Sequence, residues 1–284
     1  MPQDLRSIRR KIRTVHNIWQ ITRAMKMVAA ARVRRLQQQV QKSRLYWDGL
    51  WDMAQELASQ VQDFEHPYMS DHTPERPLLC VVSGDKGLCG SYNSMVFRRA
   101  EVVLREHNIA AVVTVGDRAR RWAEKMNLQP VATFEAYGGK HSSGVEANIA
   151  RTLRMAFEKG DYDGVLMVAT PFVSMLYNLP KVTQILPLKK PEVREKPVSY
   201  IFEPEGPQLL RALLPRAVEA KIAQAVIEAA GAEQAARMAA MTTASDNAEE
   251  LGTDLTRLRN RMRQAEITTG LLEVVSGANA QSAG

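Results

Sequence analysis

The sequence predicts an α/β protein in which the first and last helices form a long coiled coil and a small α/β domain is inserted between them. Three observations predict it. From Leu5 onward, apolar or small residues return at alternating steps of three and four: Leu5, Ile8, Ile12, Val15, Trp19, Ala29, Val33, Leu36, Val40, Trp47 and Leu50. Only Thr22, Lys26 and Ser43 interrupt that register. The last quarter repeats the pattern at Leu251, Leu255, Leu258, Met262, Ala265, Thr269 and Leu272. Between these stretches the period switches to short apolar runs separated by helical segments. A sustained 3.5-residue repeat is a coiled-coil seam. Two halves of a seam at opposite ends of the chain describe a shaft with the middle of the chain hung on its side.

Residues 1–63 read as one helix, free of proline after Pro2. At about 1.5 Å per residue that is a rod of roughly 80 Å, longer than a compact domain needs. Residues 64–77 contain three prolines and several polar residues, and form a linker that ends the helix. Residues 78–203 form the α/β domain. LLCVV at Leu78–Val82, AAVVTV at 110–115, GVLMVA at 164–169 and KVTQILPL at 181–188 read as strands, with helices over 92–107, 117–126 and 145–159. Strands alternating with helices argue for a small, Rossmann-like sandwich with a largely parallel sheet. A Pro- and Lys-rich link over 188–197 leads to VSYIF, which reads as an added strand. Residues 204–284 are the C-terminal coiled-coil helix and tail, helical from Pro207 to about Ser276 with Gly277 as its stop. Pro215 marks an early bend or the first turn of a renewed helix, because an interior proline costs about 3 kcal/mol. The Ala-rich run AEQAARMAAM lets a neighbouring backbone approach closely.

Aromatic residues make up 6% of the chain, which favours long helices over a large aromatic core. The formal net charge of +7 suits an acidic partner, a nucleic acid or an anionic membrane without choosing among them. Its placement says more. Twelve Lys and Arg residues lie between Met1 and Trp47 against Asp4 alone. A solvated helix face and an acidic partner both account for this, and a helix so one-sided in sign repels itself. Two cysteines, Cys80 and Cys89, make neither a disulfide framework nor a zinc site and fit a reducing compartment. No signal peptide is evident, and no run approaches the roughly 18 apolar residues of a membrane span.

The loop SGDKGLCGSYN (residues 83–93) lies where α/β folds bind phosphate, between a strand and a helix. It fails the Walker pattern: Gly84 leads to Cys89 and Gly90 with no lysine after them. It fails the dinucleotide pattern as well, since the glycine two residues before Gly87 or Gly90 is missing. A tight strand-to-helix turn is its reading. The five histidines (His16, His66, His72, His107, His141) show no ligand spacing. Cys89 has no His or Asp placed by the sequence to activate it, and reads as an idle or buried thiol. Asp161 and Asp163 precede a strand and read as turn residues. No catalytic, metal or cofactor site is expected.

Four strings resemble one family. IRRKIRTVHNIWQITRAMKMVAAARVRR, SGDKGLCGSYN, EQAARMAAMTTASDNA and RMRQAEITTGLLEVVSGANA are similar, in order and over essentially the whole chain, to signatures of the γ subunit of F-type ATP synthases. Lys86 replaces an arginine of the family's glycine loop. The resemblance implies a non-catalytic central rotor whose terminal helices form an antiparallel coiled coil inside a ring of α and β subunits. It implies the ε subunit and the membrane c-ring as further partners, with no cofactor. It implies a peripheral position on the cytoplasmic face of the bacterial cell membrane, held through partner subunits, with no direct membrane insertion. Arg263, Gln264 and Thr268 match the signature that meets the β-subunit catch loop, and Met25 and Lys26 match the neck that meets an acidic lever on β. One departure stands out: Gly270 occupies the position where the family signature carries glutamate. The dithiol insert of chloroplast-type relatives is absent. The competing readings are a basic coiled-coil protein that binds nucleic acid or acts as a scaffold, and a nucleotide-binding α/β enzyme with helical arms.

Overall fold

The computed structural model describes residues 5–60, 66–70, 72–138, 144–175, 177–188, 203 and 205–282. It divides into two compact units. One comprises Ala29–Arg237, and the other Met1–Val28 with Met238–Gly284. Each takes a stretch of the first helix, α1 (Leu5–Gln60), and of the last, α5 (Gly206–Ser282).

In the larger unit, strands β1 (Leu78–Val82), β2 (Ala111–Val115), β3 (Pro130–Phe134), β4 (Val165–Ala169) and β5 (Lys181–Leu186) form one sheet in the order β3-β2-β1-β4-β5. All pairings are parallel except β4 with β5. Helices α2 (Tyr92–Glu106), α3 (Asp117–Lys125) and α4 (Val145–Glu158) connect the strands. The central strand β1 is buried along its whole length, as a strand covered on both faces must be. Its side chains alternate. Leu78, Cys80 and Val82 join one core with Ile149 and Leu153 of α4 and Leu214, Val218 and Ile222 of α5. Leu79 and Val81 join another with Val96 and Ala100 of α2 and Trp122 of α3. The helix α5 is therefore one layer of a three-layer sandwich.

Strand β3 lies outside the strands the sequence predicts. PVATF opens on a proline and alternates half-buried with exposed residues, the pattern of an edge strand, where a missing N–H on the first residue does no harm. The expected strand VSYIF, the link before it and the end of the first helix at residues 61–63 lie outside the described residues.

The α1 seam is buried in the predicted register. In the larger unit, Ala29, Val33, Leu36, Val40, Trp47 and Leu50 are all buried, and the run extends to Ala54 and Leu57. Leu36, Val40, Trp47 and Leu50 pack with Ala220, Ile227 and Ala230 of α5. In the smaller unit Ile8 and Val15 are buried and Trp19 is half-buried. The polar Thr22 is tolerated there because its hydroxyl donates to its own helix at Ile18 O (3.0 Å) and Trp19 O (3.1 Å). Lys26 is half-buried, its stem on the seam and its ammonium able to reach solvent.

The α5 seam departs from expectation in three ways. Leu251 is 50% exposed, and the inward stripe instead runs Met241, Ser245, Ala248, Gly252, Leu255 and Met262. A β-carbon on Gly252 would sit 3.7 Å from Val15 Cγ1, so the small residue, not the adjacent leucine, faces α1. Ala265, Thr269 and Leu272 are exposed, not seam residues. The physical reason is length: with Val15 beside Gly252, an antiparallel α1 that begins at Leu5 runs out near Met262. Gly277 does not stop the helix, which continues to Ser282, and the helix also runs through Pro215.

Candidate functional site

The smaller unit carries all five residues proposed to meet a partner. Met25 and Lys26 are half-buried on α1, while Arg263, Gln264 and Thr268 are exposed on α5. Thr268 Oγ1 donates to Gln264 O at 2.9 Å, which turns its hydroxyl back on the helix. Arg263 and Gln264 open a stretch of α5 that is exposed on every side, and Ile267, Leu271, Leu272, Val274 and Val275 within it are each more than half exposed. Exposed apolar patches of this kind mark interaction surfaces. Gly270 lies in the same stretch, and a β-carbon there would meet nothing within 4 Å. No steric demand calls for glycine at that position.

The basic face of α1 is solvated. Of its twelve cations before Trp47, all but Lys26 are exposed. Arg44 pairs with Asp48 at 3.7 Å, and the Arg23 guanidinium lies 4.9 Å from the Trp19 ring centroid. Carboxylates are few among the described residues of this helix, so its positive field is directed outward.

In the larger unit the 83–93 loop is a turn, as its glycines suggest, with Leu88 and Gly90 both at positive φ. Its polar groups are used internally. Asp85 Oδ1 accepts the backbone N–H of Asp117 (3.1 Å), at the start of α3, and of Ala136 (3.0 Å). Ser83 Oγ accepts the Ala119 N–H at 2.8 Å. The α3 N-terminus, which would otherwise attract a phosphate, is thus capped by the chain's own oxygens. At the β2–α3 turn, Gly116 has φ +91°, and a β-carbon there would fall 2.5 Å from Ser83 O.

Neither thiol is poised for chemistry. Burial pushes Cys80 up to about 12. Cys89 is raised as well, by burial first and by the nearby Glu233 second. A thiolate is the reactive form, and both sites suppress it. Asp163 acts as the turn residue the sequence suggests: its carboxylate accepts the N–H of Glu75 (2.6 Å) and of Arg76 (2.9 Å). A groove of about 250 Å³ lined by Trp51, Ala54, Met69, Leu188 and Leu214 has no acid, base or nucleophile among its described lining residues. The buried pair Glu233 and Arg237 escaped sequence reasoning as a site. Its one signal was an opposite-charge pair at i,i+4 inside an otherwise Ala-rich run.

The chain matches the family profile described as ATP synthase over residues 4–281. The ATP synthase gamma chain of Desulfitobacterium hafniense is 36% identical over 277 residues, covering 97% of this chain and 98% of that protein. That of Roseiflexus castenholzii is 38% identical over 283 residues, covering 97% of each. That of Gloeobacter violaceus is 37% identical over 312 aligned positions, covering 98% and 99%. This alignment is longer than the chain itself, so that relative carries residues with no counterpart here. Among solved structures, a chain of the Euglena gracilis mitochondrial ATP synthase in an assembly of OSCP, F1 and c-ring superposes with a TM-score of 0.71 at 18% identity. The match covers 99% of this chain and 95% of that one.

Proposed function

The chain belongs to the ATP synthase gamma-chain family, and from that premise we propose how it works as the central rotor stalk of that enzyme. It contributes no bond-making residue. It couples ion flow to ATP formation by presenting an asymmetric surface to catalytic subunits that surround it. Orientation of the stalk selects among conformations of those sites through differential contacts, and the chemistry at the sites biases orientation in return.

The observation that carries this reading is the end of α5, where a helix exposed on all sides bears five large apolar residues beside Arg263 and Gln264. A ring of α and β subunits is the cover we assign to it. Met25, Lys26, Arg263, Gln264 and Thr268 are the residues we assign to β-subunit contact, with the basic face of α1 directed at acidic levers on β. Exposed ion pairs are worth about 0–1 kcal/mol each, weak enough to be made and broken at every step. The ε subunit and the c-ring are assigned to the α/β domain. Among the described residues no helix is long and apolar enough to cross a membrane; attachment at the cytoplasmic face through partner subunits is part of the same proposal.

Co-expression with the α and β subunits of the same synthase tests this. A stoichiometric complex with ATPase activity is expected. A chain that stays outside such a complex, or that binds duplex DNA tightly at physiological salt instead, would sink the reading.

A further inference from the structure

The 83–93 loop fails both nucleotide-binding patterns, and the geometry gives two of its glycines a different use. Glu233 and Arg237 stand one turn apart on α5, with side chains only 6% and 10% exposed, and Arg237 Nη2 donates to Glu233 Oε1 at 2.5 Å. The same Nη2 donates to the carbonyl of Gly87 at 3.3 Å. A β-carbon on Gly84 would fall 2.5 Å from Glu233 Oε1 and 2.6 Å from Cδ. The carboxylate therefore occupies the space that a side chain at residue 84 would fill. The clash falls on the far end of the Glu233 side chain, which its pairing with Arg237 holds in place.

The loop is braced from behind. The Gly84 N–H donates to Asn93 Oδ1 at 3.0 Å, and Asn93 Nδ2 donates in turn to Lys86 O and Cys89 Sγ. Asp85 ties the same loop to the start of α3. One to two turns along α5, the buried hydroxyl of Tyr92 donates to Ala229 O at 3.0 Å. Gly231 leaves room for Phe172, whose ring would lie 3.3 Å from a β-carbon there. About two consecutive turns of α5, between Ala229 and Arg237, are thus gripped by groups from the sheet side. A buried ion pair contributes little net stability compared with apolar packing, since desolvation offsets attraction. What it does supply is one geometry, because a displaced partner leaves a charge buried alone.

We propose that the 83–93 loop is a clasp that locks α5 to the α/β domain, with Glu233 and Arg237 as positioning residues, so that torque applied to the domain passes into the stalk helix without slip. This rests on the rotor reading. A clasp of this kind is needed where an Ala-rich helix, offering few large side chains to resist rotation about its own axis, must carry load from a domain attached to one side.

The test uses the complete synthase containing this chain, reconstituted in lipid vesicles. ATP hydrolysis is measured together with ATP-driven uptake of protons (pH-sensitive dye) and of sodium (radiosodium). Wild-type vesicles that hydrolyse ATP without taking up either ion count against the rotor reading itself, before any variant is considered. Gly84→Ala is expected to keep hydrolysis within about twofold while lowering ions moved per ATP about threefold or more, and Glu233→Ala to do the same. The double variant is expected to lose no more than Glu233→Ala alone, because the carboxylate that the new methyl strikes is gone. Glu233→Gln, which keeps the shape and removes the charge pair, serves where Gly84→Ala does not assemble, and is expected to lower the ratio as well. A purely structural role lowers the yield of complex and leaves ions per ATP unchanged. That unchanged ratio in Gly84→Ala or Glu233→Gln, or additive losses in the double variant, would overturn the clasp.

Discussion

Replacing Asp85 separates a loop that caps its own fold from one that awaits a ligand. Asp85 Oδ1 accepts two backbone N–H groups, from Asp117 at 3.1 Å and Ala136 at 3.0 Å. Loss of a carboxylate cap at a helix start costs about 1 kcal/mol. The Ala136 N–H lies in a residue only 6% exposed, and a buried donor left without an acceptor costs about 1–3 kcal/mol. Asp85→Ala should therefore destabilise the chain by about 2–4 kcal/mol. Asp85→Asn keeps an oxygen in the same place and loses only the charge at the helix terminus, about 0.3–1 kcal/mol. Urea unfolding read by tryptophan fluorescence, to which Trp122 buried on α3 contributes, resolves the two. With a slope near 2–3 kcal/mol/M the alanine variant should shift the midpoint by about 1 M, and the asparagine variant by a third of that or less. Equal losses in the two variants would refute the capping argument. So would a wild-type midpoint that rises with added inorganic phosphate, since the α3 terminus would then be open to an anion.

Four further outcomes are expected. Gly270→Ala should raise the thermal stability of α5 by up to about 1 kcal/mol, read by circular dichroism, because nothing lies within 4 Å of the missing β-carbon; a loss of helicity would mean that the position is constrained. Arg263→Ala with Gln264→Ala should leave folding and assembly intact and reduce ATP synthesis severalfold, because both side chains are exposed on α5; unchanged synthesis would defeat their contact role. Leu214→Ala, at a residue 1% exposed in the core shared by α5 and the sheet, should cost about 2–5 kcal/mol in urea unfolding; a cost under about 1 kcal/mol would show that α5 is not a layer of the sandwich. Burial first, and the Arg211 charge second, hold His66 below its usual value of 6.5. A histidine depressed in the folded state binds fewer protons there than when unfolded, so its contribution is present above pH 6.5 and lost as pH falls below it. His66→Gln should flatten that part of the stability profile between about pH 7 and 5, and an unchanged slope would place the titration elsewhere.

Much of the architecture was legible because periodicity reports burial directly. Every apolar seam residue from Ala29 to Leu50 is buried, since a long helix against one partner has few ways to hide a stripe. The α5 half misled for a reason that also follows from physics. Its inward stripe is built from Ser245, Ala248 and Gly252, residues that permit close approach but leave no hydrophobic signal, while Leu251 beside them draws attention and points outward. Strand β3 was hidden by its opening proline and by an edge position that leaves half its residues exposed. The partner-contact residues were legible only through resemblance, because an exposed Arg263 or Gln264 carries no signal of its own. Glu233 was the opposite case: its role depends on Gly84, remote in sequence, and only the fold brings the two together.

As a rotor, this chain turns inside a ring of catalytic subunits. The direct measurement fixes a complex of the chain with its α and β subunits to a surface and follows a bead attached through a cysteine introduced on exposed Lys125 of the α/β domain. On adding ATP, unidirectional stepwise rotation that ceases when ATP is removed is the expected result. A complex that hydrolyses ATP at full rate while the bead shows only Brownian motion would contradict the account.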